Sequence, residues 1–141
     1  MAGTVKVMLL GDSIRMSYQP LVARLLEGRA EVLGPADNCQ YSLYTLSSLA
    51  RWANELGKPD IVHWNNGLHD AGHNPQRHPI QIPIDMYRAN LAHILDALSR
   101  LTDKITYGRQ RHRCTLNARF APMRGPGETR RSIGTIVRPL N

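Results

Sequence analysis

At 141 residues the chain has room for one domain with a real hydrophobic core and too little for two. Its 42% apolar content fits a globular fold, and no run approaches the roughly 18 apolar residues of a membrane span. The net charge of +7 is confined to one end: residues 1–107 hold equal numbers of basic and acidic side chains, whereas residues 108–141 are rich in Arg with Glu128 as the sole acid. A nucleic-acid reading of the basic balance therefore applies to the tail alone.

Val5–Leu10 is a short apolar run ending at Gly11-Asp12, which predicts a buried strand feeding a turn. Lys6 interrupts it and no small-residue cleavage site follows, so it does not read as a signal peptide, and a cytoplasmic product is expected. Gln19–Glu27 places Leu21, Val22, Leu25 and Leu26 on one helical face, with Gly28 as the stop. Ala30–Leu33 predicts a second strand. Thr45–Leu56 predicts a second helix, with Leu46, Leu49, Ala50, Ala53 and Leu56 at helical spacing and Gly57 as its C-terminal stop. Asp60–Asn65 predicts a third strand, and Pro59 before it blocks continuation of the helix. Residues 67–83, with three prolines, read as a loop. Ile84–Leu101 predicts a long helix whose buried side carries Tyr87, Leu91, Ile94, Leu95, Leu98 and Leu101, and Ile105–Tyr107 begins a fourth strand. Strands alternating with helices predict an α/β fold with a parallel sheet covered on both faces.

Binding and catalytic groups in open α/β sheets cluster at the C-terminal ends of the strands. Gly11-Asp12-Ser13 lies at the end of the first strand, and Asn65-Asn66-Gly67-Leu68-His69-Asp70 at the end of the third. A serine at such a strand-to-helix turn presents its hydroxyl to solvent and its N–H to an oxyanion. Taken alone, Gly-Asp-Ser after a strand is more often just a turn and helix cap. Cys39 and Cys114 form no CxxC pair, and His73 and His78 follow no metal-ligand spacing, so neither redox chemistry nor a metal is implied.

Together the two motifs, about 55 residues apart, resemble those of the SGNH/GDSL hydrolase family over roughly residues 4 to 107. The resemblance implies a three-layer α/β/α flavodoxin-like fold, incomplete at the C-terminus, and hydrolysis of small-molecule acetyl or acyl esters without a cofactor. It implies Ser13 as nucleophile and first oxyanion donor, Asp12 as its structural neighbour, and Gly67-Leu68-His69-Asp70 where the family has Gly-x-Asn-Asp. His69 then replaces the oxyanion-binding asparagine, with Asn65 and Asn66 as alternative donors; hydrogen bonding of His69 to Asp70 or backbone is the structural alternative. The family's second motif supplies a glycine N–H, but this chain has Asn38-Cys39-Gln40-Tyr41-Ser42 there.

The family's Asp-x-x-His, which supplies the base, has no match after residue 107. His112 stands in Arg111-His112-Arg113 with no acid three residues before it. A serine without its base is a poor nucleophile, so the chain is expected to be nearly inactive. The division expected is a partial hydrolase domain over 1–107 and a basic, Arg/Pro-rich tail over 108–141. Read one base out of frame, the codons for Arg109 to Asn117 permit TATPVHPE, and those for Arg124 to Ile136 permit WSWRNEEIDRYN, an apolar strand and a helix start. The tail is thus expected to be frameshift-derived or, alternatively, a disordered basic extension that binds nucleic acid nonspecifically. A non-catalytic flavodoxin-like binding module is the rival to the esterase reading.

Overall fold

The computed structural model describes residues 3–72 and 80–108. In chain order it comprises β1 (Val5–Leu10), α1 (Ser13–Leu25), β2 (Ala30–Leu33), α2 (Ser42–Leu56), β3 (Ile61–Trp64), α3 (Leu68–Ala71), α4 (Ile84–Ser99) and β4 (Ile105–Tyr107). The strands form one sheet in the order β2-β1-β3-β4, and every pair is parallel. Val7 pairs with Val32 on one side and Ile61 on the other, so β1 is central.

Parallel strands are joined by right-handed crossovers. The chain leaves β1 in one direction to reach β2, then turns back past β1 to β3 and β4. Handedness therefore puts α1 on one face of the sheet and α2 and α4 on the other. Strand residues alternate between those faces. Met8, Leu10, Val62 and Trp64 pack with Leu49 and Trp52 of α2 and Ile94 and Leu98 of α4 in one core. On the opposite face, Tyr18 of α1 meets His63 of β3 edge-on, with ring centroids 6.5 Å apart.

Two helices begin earlier than their apolar spacing predicts. α1 starts at Ser13 rather than Gln19 because Asp12 caps it, its carboxylate accepting from Ile14 N at 2.9 Å. Its inward side carries Arg15, Tyr18 and Val22, so an apolar count misses the first two turns. The helix also runs through Pro20, which has no N–H to give Met16 O. α2 starts at Ser42 rather than Thr45 because the Asp70 carboxylate, from another element, accepts from Ser42 N at 2.9 Å. The expected loop over 67–83 contains the short helix α3. Gly28 and Gly57 follow their helices at φ +73° and +77°, conformations that suit glycine at a helix end. Expectations for His73, His78, His112, Cys114 and the tail from Arg109 onward fall outside the described residues. No helix among the described residues is long and apolar enough to cross a membrane.

Leu98 is fully buried between α4 and the sheet. Leu98→Ala should lower stability by about 2–5 kcal/mol, read as a shift of the urea midpoint at unchanged slope. Burial pushes the His63 imidazole below its ordinary 6.5. A neutral buried histidine stabilises the fold fully above the unfolded value, and that contribution is lost as pH falls through 6.5 toward the lowered folded value. Stability measured against pH should show this acid-side loss, and His63→Gln should remove it.

Candidate active site

The chain reverses direction at β1, and in open parallel sheets the loops on either side of such a reversal diverge at the C-terminal edge, the place where a crevice ordinarily opens. Gly11-Asp12-Ser13 borders it on one side and Asn65-Asn66-Gly67 on the other. The main chain extends the pairing beyond the strands on both sides of β1: Asn65 N, after β3, donates to Leu10 O at 3.0 Å, and Cys39 N, after β2, donates to Gly11 O at 3.1 Å. The approach is tight enough that a Cβ at Gly11 would collide with Asn65 Oδ1.

Ser13 is the first residue of α1 and is exposed. Its place at the positive end of a 13-residue helix favours negative charge beside it. Asp12 next to it is buried and caps the helix. Two residues on, Arg15 is buried, and its guanidinium donates to Gln19 Oε1 (2.8 Å), Pro35 O (2.9 Å) and Asp37 O (2.5 Å), while its Nε reaches Gly11 O at 3.4 Å. Arg15 thus ties the serine turn to the loop between β2 and α2.

That loop carries the position where the resemblance asks for glycine. Gln40 adopts φ +49°, the left-handed conformation glycine permits, so the chain takes up this geometry with a bulky residue. Its N–H is not free: it donates to Asn38 Oδ1 at 2.8 Å. Use of that N–H by a ligand requires Asn38 to turn away.

Asn66, the alternative oxyanion donor expected from the sequence, turns its carboxamide into the fold. Both hydrogens of its Nδ2 are engaged, by Gln40 O at 3.1 Å and Thr45 Oγ1 at 3.0 Å, while its Oδ1 accepts from Trp64 Nε1 at 2.6 Å. Asn65 is buried as well, and its Oδ1 has no hydrogen-bond partner among the described residues.

Gly67 opens α3 at φ +143°, and a Cβ there would come within 3.0 Å of Tyr87 Oη. Tyr87 and Tyr107 both donate to Asn66 O, at 3.0 and 2.8 Å, and fix the carbonyl just before the glycine. Burial, with the Tyr107 hydroxyl beside it, holds the Tyr87 phenol well above its ordinary range, so it remains a donor. His69, the second residue of α3, is half-buried and is not hydrogen-bonded to Asp70. Asp70 turns inward instead, accepting from Ser42 N and Oγ, and Asn90 Nδ2 donates to the same Ser42 Oγ at 3.0 Å.

The structure therefore brings Ser13, Asp12, Gly67 and His69 to one edge of the sheet, at the ends of two adjacent strands. It adds Arg15, Ser42, Tyr87, Asn90 and Tyr107, which the motifs do not include. Asn90 had one signal, a carboxamide on the apolar stripe of a helix; Arg15 had none, because its partners are main-chain carbonyls. No protein-family model matches the chain, and no curated protein matches it.

Arg15→Met should cost about 3–5 kcal/mol, because it strands several buried carbonyls that now accept from a charge. Hydrogen exchange should accelerate at residues 11–15 and 35–40 more than in α4. Gly67→Ala should cost about 1–3 kcal/mol through its backbone conformation, read by thermal unfolding.

Proposed function

We propose that this chain carries the serine-bearing part of an SGNH/GDSL-type ester hydrolase, with no Asp-x-x-His among residues 108–141 to activate it. The observation that carries the reading is the placement of Ser13 and Gly67-Leu68-His69-Asp70 on adjacent strands at the single point where the sheet order reverses. The order β2-β1-β3-β4 is also the start of the flavodoxin-type order that the resemblance implies.

In the chemistry proposed, Ser13 Oγ attacks an ester carbonyl and its proton passes to a base. The tetrahedral oxyanion is held by Ser13 N–H at the start of α1 and by the His69 imidazole N–H, with the alcohol leaving as the acyl-enzyme forms. Water then attacks the acyl-enzyme and frees the acid. Ser13 Oγ has no hydrogen-bond partner among the described residues, and no Asp-x-x-His stands in the sequence from residue 108 to 141. Loss of the base in a serine hydrolase costs on the order of a millionfold in turnover. The same absence favours the second reading, a binding module that keeps the crevice without the chemistry.

A fluorophosphonate probe separates the two. Prolonged incubation should give an adduct on Ser13, and added imidazole, which supplies a base from solution, should raise its rate. An unlabelled Ser13 under both conditions would falsify the hydrolase reading and leave the binding module.

A further inference from the structure

We propose that this chain pairs with a second copy of itself through the open edge of its sheet, β4 against β4, around a two-fold axis at Thr106. The order β2-β1-β3-β4 leaves β4 with a neighbour on one side only among the described residues. Val62 N donates to Lys104 O at 2.9 Å and Gly108 N to Trp64 O at 2.8 Å. With Val62 in register with Ile105 and Trp64 with Tyr107, those bonds turn the main chain of residues 104, 106 and 108 toward β3. The N–H and C=O groups of Ile105 and Tyr107 therefore point away from β3, to the open edge. Such a row of groups on an edge strand is a template for another strand. At the opposite edge β2 carries the exposed charge of Glu31 within the strand, whereas Ile105, Thr106 and Tyr107 carry none.

The edge is complementary to itself, and this selects a second copy as its occupant. In antiparallel strands a hydrogen-bonded pair exchanges both of its bonds. An axis at Thr106 sets Ile105 opposite Tyr107 of the second copy and Tyr107 opposite its Ile105, so every outward group of β4 in both copies is used. The side chains agree with that register. Ile105 packs against the core and the Tyr107 ring meets Trp64 edge-on at 4.8 Å, so both lie on the face that α4 covers. Across the axis they form aromatic and β-branched pairs, which stabilise antiparallel strands. Thr106 is exposed on the other face, where it meets its own counterpart, and Lys104 falls opposite Gly108, so like charges do not meet. α4 extends the contact. Asn90 Nδ2 donates to Ser42 Oγ at the start of α2, which turns that flank of α4 toward α2. Leu91 and Leu95 lie roughly 100–140° further round the helix, on the flank above β4. Leu95 is 48% exposed there, and the same axis sets the two flanks side by side.

The test is sedimentation equilibrium of the full chain over a range of concentrations, where a reversible dimer is expected. Thr106→Lys and Thr106→Glu each set like charges across the axis at an exposed position, and each should weaken the dimer on the order of tenfold. Mixing the two variants should restore association, because opposite charges then face each other. A register test accompanies these. Directly opposed residues that are not hydrogen-bonded to each other stand about 4.5 Å apart at Cα, within reach of a disulfide. Thr106→Cys in a Cys114→Ser background should therefore give a disulfide-linked dimer on mild oxidation, whereas Ser99→Cys, at the far end of α4, should not. A chain that stays monomeric at every concentration overturns the proposal, the edge then being open or filled by residues of the same chain beyond Gly108. A dimer that neither charge variant weakens, or variants whose mixture shows no recovery, overturn it equally, since the copies then meet elsewhere.

Discussion

Right-handed crossover is the constraint from which the arrangement of this molecule follows. Among the described residues, one reversal of direction at β1 puts α1 on one face of the sheet and α2 and α4 on the other. It also splits the loops after β1 and β3 apart. The crevice is therefore a product of topology before any side chain is considered, and the residues at the two strand ends are brought together by that reversal. Close main-chain packing then sets its width: Gly11 lets β3 approach, and the hydrogen bonds from Asn65 N and Cys39 N continue the pairing past the ends of the strands.

The crevice is held from below by polar groups that face inward. Asn66 joins β3 to the loop before α2, Asp70 and Asn90 converge on Ser42, and Arg15 fastens the serine turn to residues 35–37. Each group is buried and bonded, which makes the site costly to distort, since removing one partner leaves the others unsatisfied in a low-dielectric interior. Groups aimed into the fold position the loops. Ser13 is exposed and His69 half-buried at the same edge.

Strands were the most legible part of the sequence. Val5–Leu10 and Ala30–Leu33 are apolar runs bounded by charge, glycine or turn residues, and they form strands over those same bounds. Helix starts were less legible because what fixes them is polar and distant. Arg15 occupies an inward position that a hydrophobic count assigns to solvent, and Ser42 is capped by a carboxylate 28 residues away. In the site, the motif positions could be read from residue type and spacing. The supporting shell could not, because Gly11 O, Pro35 O, Asp37 O and Gln40 O act through main-chain carbonyls that every residue possesses. Gln40 is the sharpest case: its left-handed backbone is what glycine ordinarily announces, and here no glycine announces it.

The imbalance between the two faces of the sheet has a further consequence. α2 and α4 are anchored in the core, whereas α1 fully buries one side chain, Arg15, and leaves Leu21 and Leu25 more than half exposed. Elements with few buried apolar contacts open at free energies well below that of global unfolding. Ser13 therefore rides on a helix that buries no apolar side chain fully, where α2 buries Leu49 and Trp52 and α4 buries Ile94 and Leu98. Detachment of α1 would dismantle the Ser13 turn while the sheet with α2 and α4 stayed folded, so the integrity of that turn and the melting of the domain are separate quantities.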